Sequence, residues 1–85
     1  MSSVTLRYWA AAKDAAGVAE ETIAADTLAA ALAGAGARTG RARLSEVFAR
    51  SSFLIDGQPV GTRPPDSVEL ADGAVIEVLP PFAGG

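Results

Sequence analysis

The sequence predicts an α+β fold: a mixed β-sheet with one main helix packed on one face. Three observations carry this. Val4-Thr5-Leu6-Arg7-Tyr8-Trp9 alternates, with Val4, Leu6 and Tyr8 on one side and Thr5, Arg7 and Trp9 on the other, the mark of a half-buried strand. Leu28, Ala31, Leu32 and Ala35 recur at i, i+3, i+4 and i+7, one face of a helix. Val75-Ile76-Glu77-Val78-Leu79 is apolar except at Glu77, as expected of a strand in the middle of a sheet.

The elements between these anchors follow in order. Ala10 to Gly17 is alanine-rich and reads as a short helical turn or a loop, ended by Gly17. Val18 to Ala24 alternates again, with Val18, Glu20 and Thr22 opposed to Ala19, Glu21 and Ile23. Its acidic pair suits an edge strand, where charge discourages unwanted pairing. Asp26 is the expected N-cap of a helix beginning at Thr27, weakened by Gly34 and ended by Gly36. Gly36 to Arg43 reads as a solvated loop with three arginines. Leu44, Val47 and Phe48 repeat helical spacing, so Leu44 to Arg50 is a second short helix. Phe53-Leu54-Ile55 is a short strand, Asp56-Gly57 a turn, and Val60 lies beyond it. Pro59, Pro64 and Pro65 exclude a long central strand there. Ser67 to Leu70 is a turn or short strand, and Asp72-Gly73 is another turn. Pro80 and Pro81 stop the last strand. If that strand is central, it pairs in parallel with the first, and the helix crosses over one face between them. This arrangement is the β-grasp, or ubiquitin-like, fold. Residues 1–79 form the domain, and residues 80–85 a flexible Gly-Gly tail.

Composition removes most chemistries. The 85 residues are 49% apolar and carry a formal charge of −3. One domain of this size can build a core without staples. There is no cysteine and no histidine, so no disulfide or thiolate chemistry exists. The commonest general base and metal ligand is also missing. No metal site and no cofactor bound by the chain are expected. The weak acidity argues against nucleic acid, and no apolar run approaches a membrane span. No signal-peptide pattern is read, so the expected compartment is the cytoplasm.

Nucleophiles by type are Ser, Thr, Tyr8 and Lys13, none with a histidine to activate it. Asp14 with Glu20 and Glu21, and Asp56 with Asp66 and Asp72, match no metal-loop spacing. The glycines form no phosphate-binding pattern. Attention therefore falls on Pro80-Pro81-Phe82-Ala83-Gly84-Gly85. Six extended residues reach about 20 Å, and paired prolines favour a stiff, extended exit. Gly84 and Gly85 pass where a Cβ would collide. Phe82 is an apolar side chain suited to a partner's pocket. Folding back onto Trp9 or Leu79 is its alternative. On the sheet face away from the helix, Trp9 and Leu79 share a surface with Thr5, Arg7 and Glu77, a candidate docking patch.

The run from Val4 to Ala10, Lys13-Asp14, Gly17, and Leu70-x-Asp72-Gly73-x-Val75 followed by Pro80-Pro81-Phe82-x-Gly84-Gly85 resembles the MoaD/ThiS family of sulfur-carrier proteins. The resemblance spans essentially the whole chain and is strongest at the C-terminal segment. In length and tail it is nearest to the small subunit of molybdopterin synthase. It implies that an adenylating, MoeB-type enzyme using ATP and Mg activates the Gly85 carboxyl. A sulfur donor then converts it to a thiocarboxylate. It further implies that the tail enters a large, MoaE-type synthase subunit and delivers sulfur to cyclic pyranopterin monophosphate in molybdenum cofactor biosynthesis. Gly85 then carries the transferred atom, and Gly84, Phe82, Pro81 and Trp9 meet partners. Acid and base groups would belong to the large subunit, making this chain a non-catalytic part of a transferase. The tail reads the same for a sulfur carrier of thiamin, cysteine or secondary-metabolite biosynthesis, and for a ubiquitin-like modifier or binding module.

Overall fold

Alternation and apolar runs translate directly into one sheet. In the computed structural model, which describes residues 2–38 and 40–81, the strands are β1 (Ser3–Tyr8), β2 (Glu20–Ala24), β3 (Ser52–Ile55), β4 (Gln58–Pro59) and β5 (Val75–Leu79). The helices are α1 (Ala10–Ala16), α2 (Leu28–Gly36) and α3 (Leu44–Arg50), and a 3-10 turn covers Pro65–Ser67. Strand order is β2-β1-β5-β3-β4. β5 runs parallel to β1, with Leu6 beside Ile76, and antiparallel to β3, with Ile55 beside Ile76. The last strand in sequence is therefore central, as its apolar run predicts.

Val4, Leu6 and Tyr8 of β1 and Ile76 and Val78 of β5 are buried in one cluster with side chains from all three helices. Ala12 and Ala16 come from α1, Leu28, Ala31 and Ala35 from α2, and Leu44 and Phe48 from α3. The expected main helix is thus joined by two shorter ones on the same face. Small residues at the inward positions of α1 and α2 let these helices sit close to the sheet. Gly34 shows how close: a Cβ there would lie 2.6 Å from Cδ1 of Ile23 in β2. A side chain at this position would require the Ile23 tip to turn aside.

Several boundaries differ from the sequence reading. The N-cap of α2 is Thr27, not Asp26. The Thr27 hydroxyl accepts the Ala30 N–H at 3.1 Å, while Asp26 accepts the Ser2 N–H at 2.8 Å. Both residue types cap well, so local sequence alone did not separate them. The alanine-rich segment is a helix, closed where the Gly17 N–H donates to the Lys13 carbonyl at 2.9 Å. β1 ends at Tyr8, and Trp9 in extended backbone becomes the N-cap of α1. β2 starts at Glu20 rather than Val18 and occupies the sheet edge. Asp56 and Gly57 have φ of 49° and 83°, the left-handed pair of a tight hairpin. Pro59 lies on the opposite edge strand, where a missing N–H is tolerated.

Candidate functional site

β5 determines where the C-terminal segment leaves the fold. Its ladder to β3 reaches Leu79, opposite Ser52. Pro80 is buried and Pro81 exposed. The two prolines border a shallow recess with Ala11 of α1 and Arg43, Val47 and Arg50 on or beside α3. Of the proposed site residues, Pro81 and Trp9 lie within the described part. Phe82, Gly84 and Gly85 lie outside the described residues, as does the expected flexibility of the tail.

Because β1 and β5 are parallel, the end of β1 meets the end of β5. The Trp9 N–H donates to the Val78 carbonyl at 3.3 Å, extending the ladder past Tyr8. The Trp9 side chain is 47% exposed and lines a surface recess with Arg7, Lys13, Asp14 and Glu20. Trp9 thus stands beside the exit of the C-terminal segment and at the border of the helix-free face. On that face Thr5, Val75, Glu77, Leu79 and Leu54 are half-buried and Arg7 is exposed. This is the mixed surface expected from the alternation, with an aromatic at its rim.

Two of the candidate carboxylates are used structurally. Asp56 accepts the Val75 N–H at 3.0 Å and Asp72 the Ser3 N–H at 2.7 Å, both fastening turns to strands. Among the described residues, no group of three or more His, Cys, Asp or Glu side chains could hold a metal ion. Among them, too, no helix is long and apolar enough to cross a membrane.

One cluster was missed in the sequence. Glu21 on β2 gathers the Tyr8 hydroxyl at 2.5 Å, Arg38 at 2.6 Å, and both terminal nitrogens of Arg41, one of them at 2.9 Å. The arginine-rich loop is therefore not freely solvated, since Arg41's side chain is only 10% exposed. Burial pushes the Glu21 carboxyl up. Hydrogen bonds from Arg41 and Tyr8, with the charges of Arg41 and Arg38, outweigh it and hold the group below the ordinary carboxylate range. Burial, and then the Glu21 hydrogen bond and charge, push the Tyr8 phenol well above its usual range. The Tyr8 hydroxyl is committed to the Glu21 carboxylate. The partners stand 13 to 20 positions apart in the chain, so no short-range motif could have shown them. The tight cluster of arginines was the only signal.

The ThiS family model matches residues 6–85. No curated protein matches the chain. Small archaeal modifier protein 1 from Methanosarcina acetivorans superposes with a TM-score of 0.83 at 21% identity, over 100% of this chain and 98% of that one. The protein of the same name from Haloferax volcanii gives 0.77 at 21% identity, over 99% and 100%. A Helicobacter pylori complex of subunits 1 and 2 of molybdopterin-converting factor gives 0.70 at 24% identity, over 98% and 99%. At these identities the superpositions establish the fold, a β5-centred sheet with its helices on one face. The family match, running from Leu6 in the first strand to the final glycine, establishes the lineage. The chain belongs to the ThiS family and has the ubiquitin-like β-grasp fold.

Proposed function

We propose that this protein is the sulfur-donating small subunit of a molybdopterin synthase, with the Gly85 carboxyl as its reactive group. The observation that carries the reading is the family match through Gly84 and Gly85, on a chain with neither His nor Cys. An adenylating partner of the MoeB type would join the carboxylate to AMP from ATP with Mg, releasing pyrophosphate. AMP is a good leaving group, so a sulfur donor can displace it and leave a thiocarboxylate. The loaded segment then enters a MoaE-type large subunit, which supplies the acid and base groups, and sulfur passes to cyclic pyranopterin monophosphate. The structural match to a subunit 1 solved with its subunit 2 supports a protein partner of this kind. The compartment proposed is the cytoplasm, and this chain itself binds no cofactor.

Incubation with an activating enzyme, ATP, Mg and a sulfur source is expected to add the mass difference between sulfur and oxygen at Gly85. An unchanged intact mass, with an enzyme that loads another carrier in the same tube, would reject sulfur carriage. Complementation of a strain lacking the molybdopterin-synthase small subunit then separates this pathway from thiamin or cysteine synthesis. The superpositions on small archaeal modifier proteins favour a second reading, in which Gly85 forms an isopeptide bond with a target lysine. Covalent ladders in cells that vanish on deleting Gly84-Gly85 would support it.

Trp9 gives a separable test of docking. Trp9→Ala is expected to weaken capture of the activating or synthase partner by roughly 2 kcal/mol, as aromatic anchors do. The urea midpoint of the free protein should shift far less, because Trp9 is 47% exposed. Equal losses of binding and stability would place Trp9 in the core instead.

A further inference from the structure

β2 is an edge strand with five residues and no proline. Its ladder to β1 is flanked by Tyr8 N–H to the Ala19 carbonyl and Ala25 N–H to the Ser2 carbonyl, each 2.8 Å. Antiparallel bonding alternates, so Glu21 and Ile23 bond inward to β1. Glu20, Thr22 and Ala24 turn their N–H and C=O groups outward. An open row of this kind is a template for another strand. Here it is covered at its centre. Arg38 donates one terminal nitrogen to the Thr22 carbonyl at 3.2 Å and the other to Glu21 at 2.6 Å. Among the described residues, no other side chain bonds the outward backbone of this strand.

We infer that the outer edge of β2 is a strand-addition surface for β2 of a second copy, and that Arg38 is the gate that keeps it closed. The occupant follows from the register. An antiparallel two-fold centred on Thr22 sets Thr22 against Thr22, Glu20 against Ala24, and Glu21 against Ile23. No like charges face each other, and opposed threonines are a favourable cross-strand pair. Two sheets would then join into one across a self-complementary contact. The gate can open without unfolding anything. Arg38's side chain is 44% exposed, and exposed ion pairs hold weakly. Arg41 remains to hold Glu21 when Arg38 swings away.

The test is sedimentation of the whole chain over a wide concentration range. Wild type is expected to stay monomeric where Arg38→Ala forms a dimer, with association strengthened about tenfold or more. Thr22→Pro in the Arg38→Ala background removes the outward N–H at an edge position that tolerates proline, and should restore the monomer. Amide exchange on Arg38→Ala supplies a readout without the proline. Thr22 should become protected as the dimer forms. An Arg38→Ala protein that stays folded and monomeric overturns the inference. So does a dimer whose Thr22 amide gains no protection, or a wild type that dimerises equally well.

Discussion

Ile76→Ala should destabilise the domain by about 4 kcal/mol, within the range for deleting most of a buried Ile side chain. Ile76 is fully buried at the middle of the central strand, flanked by Leu6 of β1 and Ile55 of β3. Helices cover its inward face, so no neighbour can collapse into the gap without moving a second element. A domain of this size has roughly 5–10 kcal/mol of total stability, so the loss would be a large share of it. Urea unfolding followed by far-UV circular dichroism should show a lower midpoint with little change in slope. A loss below about 1 kcal/mol would mean that the site relaxes and that the core lies elsewhere.

Glu21→Gln should cost roughly 3 kcal/mol, the scale for orphaning one member of a desolvated ion pair. Glu21 and Arg41 keep only 9% and 10% of their side-chain surface in water. An amide at position 21 still accepts a hydrogen bond but no longer balances the guanidinium charge. Most of the loss comes from Arg41, because Arg38 is 44% exposed and can be solvated. The pH dependence gives an independent check. Glu21 titrates below its ordinary value of 4.5 in the folded protein. The pair's stabilisation is therefore complete above that value and is lost as pH falls through the folded one. Wild type should lose stability on acidification in that window, and Glu21→Gln should show a flatter acid limb. Parallel acid limbs would show that Glu21 contributes no linkage.

What the sequence disclosed was set by range. β1 and β5 were legible because burial on one face, or on both, imposes a pattern over a few neighbouring residues. The hairpin at Asp56-Gly57 was legible because its backbone demands particular residue types. α1 stayed ambiguous because alanine favours helix without marking an inward face, and Ala12 and Ala16 differ from the adjacent alanines, Ala11 and Ala15, only in burial. Trp9 continued the alternation of β1 on paper, yet the chain turns into α1 there. The Glu21 cluster was invisible because β2, α2 and the loop after it come together only in the finished fold. At the candidate site, Trp9 and Pro81 could be located, and the parallel pairing of β1 and β5 sets the Trp9 backbone beside the end of β5. Phe82, Gly84 and Gly85 rest on the sequence and the family match alone.

The parallel pairing also has a consequence for synthesis. β1 is made first, yet its parallel partner comes about seventy residues later. Contacts so distant along the chain slow folding. Until Val75–Leu79 has emerged, β1 and β3 have nothing between them, and the helices have only part of a floor. The centre of the sheet is thus the last of the five strands in chain order. Any enzyme that reads the residues after Leu79 meets a chain that already holds every strand it needs to close.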